Sequence, residues 1–149
     1  MSTFTRAAQF PPSLEIPGYS WKILAGETTG FKSPAQDYEQ EELDLNKRYV
    51  VNRPATYFFT VGKHYDSMVD AGIFPGSVVI VDCSLKPKHN AVVVAAVDDE
   101  WVVKRLYKRA GKIKLLSENR DKGYSPIEFE EGQELQIFGV VRTAINDIL

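Results

Sequence analysis

The chain has 149 residues, the size of one domain and long enough to bury a sizeable core. Eighteen basic residues against twenty acidic ones leave a formal net charge of -2, which gives no electrostatic footprint for direct nucleic-acid binding. A single cysteine, Cys83, excludes an intrachain disulfide, and no Cys/His grouping has metal-ligand spacing, so neither metal nor cofactor is expected.

Residues 1–36 contain Pro11, Pro12, Pro17 and Pro34 together with Gly18, Gly26 and Gly30, and their apolar residues keep no period. They read as an extended N-terminal arm, too short and too broken by proline for a helix-turn-helix. No basic segment leads into an apolar core there, so a secretory signal is not expected. The longest purely apolar run, Ala91 to Val97, is seven residues, far below a membrane span, and a cytoplasmic protein is the default expectation. Residues 37–149 read as the folded domain. The acidic run from Asp37 to Lys47, with Leu43 and Leu45, predicts a short helix capped by Asp37 or Asp44.

Strands and turns follow. Ala55 to Val61 is aromatic and β-branched, and Pro75-Gly76 marks a turn before a strand over Ser77 to Asp82. Asn90 to Val97 and Glu100 to Tyr107 form a hairpin through Asp98-Asp99, and Ala110-Gly111 turns into Lys112 to Ser117. Leu135 to Ile145 supplies a long final strand. Val92, Val93 and Val94 in a row predict a strand covered on both faces. Cys83, in this β-rich part, reads as a small buried or edge residue rather than a nucleophile. The fold class is mainly β, a barrel-like or folded-sheet domain.

The chemistry centres on Ser67 and Lys104. Successive strand residues point to opposite faces, so Val102, Lys104 and Leu106 share one face and the lysine is flanked by apolar neighbours. Burial disfavours an ammonium, and a neutral lysine amine can take the proton of a serine hydroxyl. Tyr65-Asp66-Ser67-Met68 supplies that hydroxyl. A solvated lysine that snorkels past its neighbours fits the same pattern.

Gly30-Phe31-Lys32-Ser33-Pro34-Ala35, Asp44-Leu45-Asn46, Ala55-Thr56-Tyr57-Phe58, Asp66-Ser67-Met68, Ile80-Val81-Asp82, Val103-Lys104-Arg105-Leu106, Tyr124-Ser125-Pro126-Ile127 and Phe138-Gly139-Val140-Val141 occur in that order. In order and spacing this set resembles the UmuD proteins, self-cleaving accessory subunits of the error-prone translesion DNA polymerase V. Their serine-lysine peptidase family also contains the C-terminal domains of LexA and phage repressors. The resemblance implies a LexA-like β domain, Ser67 as nucleophile, Lys104 as general base, and an oxyanion held by backbone N–H groups at Ser67 and Met68. Asp66, before the nucleophile, is expected to shape the turn rather than to move protons. It further implies a homodimer, a RecA–single-stranded-DNA filament as co-protease, and the catalytic subunit of a Y-family polymerase as partner in the SOS response. The sequence departs from the family by having Tyr65 where glycine is usual, in a segment about two residues longer that brings His64 near the site by sequence. The family cuts before a glycine. Register places that bond at Thr29–Gly30, side-chain fit places it at Ala25–Gly26, and both stay open with a lean to Ala25. A repressor-like regulator lacking its own DNA-binding domain, or a non-catalytic binding subunit, are the alternatives.

Overall fold

The computed structural model describes residues 44–149 throughout, together with the backbone of three short strands before them, β1 (Thr3–Arg6), β2 (Pro17–Tyr19) and β3 (Gln40–Glu42). Both candidate scissile bonds, Ala25–Gly26 and Thr29–Gly30, and the rest of the arm lie outside the described residues. Seven further strands follow: β4 (Thr56–Thr60), β5 (Val78–Asp82), β6 (Val92–Val97), β7 (Glu100–Arg109), β8 (Lys112–Leu116), β9 (Ile127–Phe129) and β10 (Gln136–Ile145). All but β2 and β3, which pair with each other, join one antiparallel sheet in the order β1-β4-β5-β10-β6-β7-β8-β9. The mainly β reading is therefore correct. β1 pairs Thr3 to Arg6 with Thr60 to Tyr57 along the edge of β4.

The expected turns form where their residues tolerate left-handed backbone. Asp98 and Asp99, at φ 50° and 62°, connect β6 to β7, and Ala110 and Gly111, at φ 51° and 72°, connect β7 to β8. These two-residue turns suit the twist of antiparallel strands. The acidic run behaves differently from expectation. The helix α1 spans only Leu45–Tyr49, and Gln40–Glu42 is strand instead. Asp44 fixes the helix start, its carboxylate accepting the N–H groups of Asn46 at 2.9 Å and Lys47 at 3.3 Å. The other cap candidate, Asp37, lies outside the described residues.

Two apolar clusters hold the sheet, and β6 feeds both. Val94 enters one with Phe59, Val61, Met68, Ile73, Val79 and Val81. Val93 and Ala95, pointing the other way, enter the second with Leu106 and Leu115. The valine run is thus covered on both faces, as its composition predicts. Beyond β5, Cys83 is half-buried, and burial followed by the nearby Asp82 charge pushes its thiol up, which keeps it protonated and unreactive at neutral pH.

β10 crosses the middle of the sheet with register shifts on both sides, between Ile137 and Gly139 against β6 and between Val141 and Thr143 against β5. Gly139 lies so close to β5 that a Cβ there would stand 2.7 Å from Val81 Cγ1 and 3.1 Å from the Asp82 carbonyl oxygen. Val81 is fully buried and cannot yield. Gly139→Ala should therefore cost about 1–3 kcal/mol by overpacking, read as a lower urea midpoint at unchanged m-value.

Candidate active site

Ser67 opens the turn that leads from β4 toward β5, just before a single 3-10 turn over Val69–Ala71. Its neighbour Met68 is 3% exposed and belongs to the first apolar cluster, so the serine is carried at the rim of the core by an anchored side chain. Backbone bonds complete the anchor: the Met68 carbonyl accepts from Ala71 N and Ile73 N, and Gly72 closes the turn at φ 79°. Among the described residues, neither the Ser67 nor the Met68 N–H is engaged in a hydrogen bond. Both are the donors expected for an oxyanion.

Lys104 stands in the middle of β7, opposite Val93 of β6. Val102 and Leu106, its neighbours on the same strand face, pack in the second cluster, and Val103 packs in the first. Ser67 and Lys104 line one cavity of about 230 Å³, walled by Val61, Met68 and Val103 from one cluster and by Val102 and Ile127 from the other. Tyr65, Asp66, Trp101 and Tyr124 complete the wall. His64 also lines it and is exposed, in keeping with a loop histidine. The structure thus brings together the two residues singled out by sequence, 37 positions apart in number, in an apolar cleft.

Burial in that cleft holds the Lys104 amine below the ordinary lysine range, while the charge of Asp66 pulls it partly back. Asp66 itself is held below the usual carboxylate range, first by the hydrogen bond from Tyr124 and then by Lys122. The Tyr124 hydroxyl donates to Asp66 Oδ1 at 2.5 Å, Lys122 Nζ lies 2.9 Å from Asp66 Oδ2, and Asn119 Nδ2 donates to the Asp66 carbonyl at 2.8 Å. This web pins the residue before Ser67. Asp66→Asn keeps an acceptor for Tyr124 but removes the charge. Any process that needs neutral Lys104 should then reach half its plateau at a lower pH, measurable as a shifted midpoint in its pH–rate profile.

Sequence reasoning missed the partner of Lys104. Lys104 Nζ donates to Ser117 Oγ at 2.7 Å, and the described hydrogen bonds include none between Lys104 and Ser67. The Tyr124 ring sits beside the same amine, 5.8 Å from nitrogen to centroid. A signal for Ser117 was present: a two-residue turn at Ala110-Gly111 pairs Arg109 with Lys112, and counting back along that register brings Ser117 opposite Lys104. The remaining contacts, from Asn119, Lys122 and Tyr124, come from a loop whose path no local pattern specifies. Among the described residues no group of His, Cys, Asp and Glu could hold a metal, and no helix is long and apolar enough to cross a membrane.

The geometry has relatives. Protein SamA of Salmonella typhimurium is 44% identical over 117 residues, covering 78% of each chain. Protein MucA of Escherichia coli is 40% identical over 126 residues, 85% of this chain and 81% of that one. LexA repressor 1 of Pseudomonas syringae pv. tomato is 31% identical over 135 residues, spanning 85% of this chain and 64% of the repressor. The model of the Peptidase S24-like family matches residues 22–142, a stretch that holds the cavity with Ser67 and Lys104, and this chain is accordingly a UmuD-like member of the S24 peptidase family.

Proposed function

We propose that this chain is a self-cleaving accessory subunit of an error-prone translesion DNA polymerase, acting in the SOS response. The observation that carries the reading is the shared cavity, lined both by Ser67 and by a lysine whose charged form is disfavoured by burial. Ser67 Oγ attacks the carbonyl carbon before a glycine in the N-terminal arm as its proton passes to Lys104 Nζ. The N–H groups of Ser67 and Met68 receive the oxyanion. Collapse breaks the C–N bond, and the Lys104 ammonium gives its proton to the departing amine. Water then enters, loses a proton to Lys104 and releases the acyl group, and that proton returns to Ser67. No charge is left over.

The substrate is the chain's own arm, tethered near its cleft, so a modest fit still gives a high effective concentration. Glycine after the bond lets the backbone approach the nucleophile closely. Residues 37–149 form the peptidase domain, and a RecA–single-stranded-DNA filament acts by favouring the state with the arm docked and Lys104 neutral. Loss of the arm leaves a homodimeric core that joins the polymerase's catalytic subunit. Likeness to SamA and MucA over most of their lengths supports this reading over a repressor-like regulator, since the repressor is spanned over only 64%.

Intact-mass spectrometry of the purified chain at mildly alkaline pH, with and without RecA filament, tests the reading. A fragment should appear in the wild type and not in Ser67→Ala, its mass distinguishing Ala25–Gly26 from Thr29–Gly30. A wild-type mass that never changes, even with filament, would leave a binding subunit that kept the fold.

A further inference from the structure

A lysine side chain ends in a freely turning amine on a flexible four-carbon stem, and burial of the stem does not by itself aim the nitrogen. A base displaced by about 1 Å can lose on the order of 10²-fold in rate. Something beside the cavity has to fix the amine, and Ser117 is placed to do so. The β7–β8 ladder pairs Arg105 with Leu116, and one step further the same register sets Ser117 across from Lys104. There its hydroxyl oxygen receives an N–H of the amine at 2.7 Å.

We propose that Ser117 is the positioning residue of the base, an inference that rests on the peptidase reading. A neutral amine has two N–H bonds and one lone pair. Committing one N–H to Ser117 Oγ stops rotation about the last bond and leaves the lone pair free for the hydroxyl of Ser67. An uncharged hydroxyl suits this task, because a carboxylate in its place would restore the ammonium that burial suppresses. The charged groups nearby are already committed: Asp66 to Lys122 and Tyr124, and Arg105 to Glu118 through contacts of 2.6 and 3.1 Å. His64 is on the exposed rim.

The next residue extends the argument to the nucleophile. Glu118 N donates to the Ser67 carbonyl at 2.7 Å, and the Glu118 carbonyl accepts from Asp70 N at 2.9 Å. Ser117 and Glu118 therefore hold the two reacting partners from adjacent positions on one backbone. Ser117 takes the Lys104 amine, and Glu118 takes both the main chain around Ser67 and the side chain of Arg105, the residue after the base. A single peptide unit thus ties the main chain at Ser67 to the Lys104 amine.

The test compares full-length wild type, Ser117→Ala, Ser117→Thr and Ser67→Ala by intact mass from pH 7 to 10. A second reading follows the ¹³Cε resonance of Lys104 with pH in the Ser67→Ala background, with and without Ser117→Ala. Ser117→Ala should melt like the wild type and cleave roughly ten to a hundred times more slowly on the high-pH plateau, with a larger deficit below it. Ser117→Thr, which restores the hydroxyl, should return to within about threefold of wild type. The Lys104 midpoint should move toward the ordinary lysine value when Ser117 is lost, as the released amine turns to water. Cleavage by Ser117→Ala at the wild-type rate with an unmoved Lys104 midpoint would overturn the inference. So would a Ser67→Ala protein that still cleaves beside a silent Ser117→Ala, which would make Ser117 the nucleophile. A wild type that never cleaves defeats the peptidase reading instead, and the Lys104 midpoint then decides alone whether Ser117 holds the amine.

Discussion

Lys104→Ala should reduce self-cleavage by at least about a thousandfold, and its residual rate should no longer rise with pH. The sign follows from the cavity. Lys104 acts as a base only when neutral, and burial holds its amine below the ordinary lysine range. Below that depressed value the wild-type rate should climb about tenfold per pH unit as the neutral fraction grows, then level off above it. Without the amine, no group among the described residues of the cavity replaces it: His64 lies on the exposed rim and Asp66 is held ionised by Tyr124 and Lys122. Ser67→Ala should match Lys104→Ala in depth, and the double variant should fall no further, because the two residues act as one unit. Fragment release followed by intact mass over a pH series checks all three. A Lys104→Ala protein that kept a pH-dependent rate would place the base elsewhere.

Leu106→Ala carries the largest expected loss of stability. Leu106 is 1% exposed and packs with Val93, Ala95 and Leu115 two residues beyond the base. Removing it opens a cavity inside a sheet whose neighbouring strands are hydrogen-bonded on both sides of β7, so the site cannot easily collapse. Truncations of this kind cost about 2–5 kcal/mol, a large share of the roughly 5–15 kcal/mol that holds a domain of this size. Urea unfolding should show the midpoint falling sharply. The functional consequence is separable: at temperatures where the variant is still folded, Lys104 keeps its Ser117 partner and cleavage should persist. A variant that is stable but inactive would mean that Leu106 aims the base.

What was legible in the chain reflects the range of each interaction. Alternation placed Val102 and Leu106 beside Lys104 because strand geometry repeats every two residues, and the structure packs both in one cluster. Asp98-Asp99 and Ala110-Gly111 were readable as turns because few residues accept their backbone. The helix after Asp44 was readable in kind but not in extent, since three residues, Gln40–Glu42, are too few to show the alternation that would mark them as strand. β9, three residues long, gave too little periodicity to detect. The web around Asp66 was invisible for a different reason: Asn119, Lys122 and Tyr124 reach it from more than fifty residues away, and only the folded path of their loop brings them there. Ser117 was accessible in principle, through hairpin register, yet serine after a strand carries no signal of its own.

The place of β10 in the sheet has a consequence for timing. It is the last strand in sequence and lies between β5 and β6, which do not pair with each other. The turn bearing Ser67 belongs to the β4–β5 side, and Lys104 belongs to the β6–β7 side. During synthesis Ser67 therefore emerges well before the strand that joins the two halves. At about 5–20 residues per second, the ribosome takes on the order of ten seconds to travel from Ser67 to Ile145. Over that interval the halves share no sheet to align them, so the cavity lined by Ser67 and Lys104 is completed only late in synthesis.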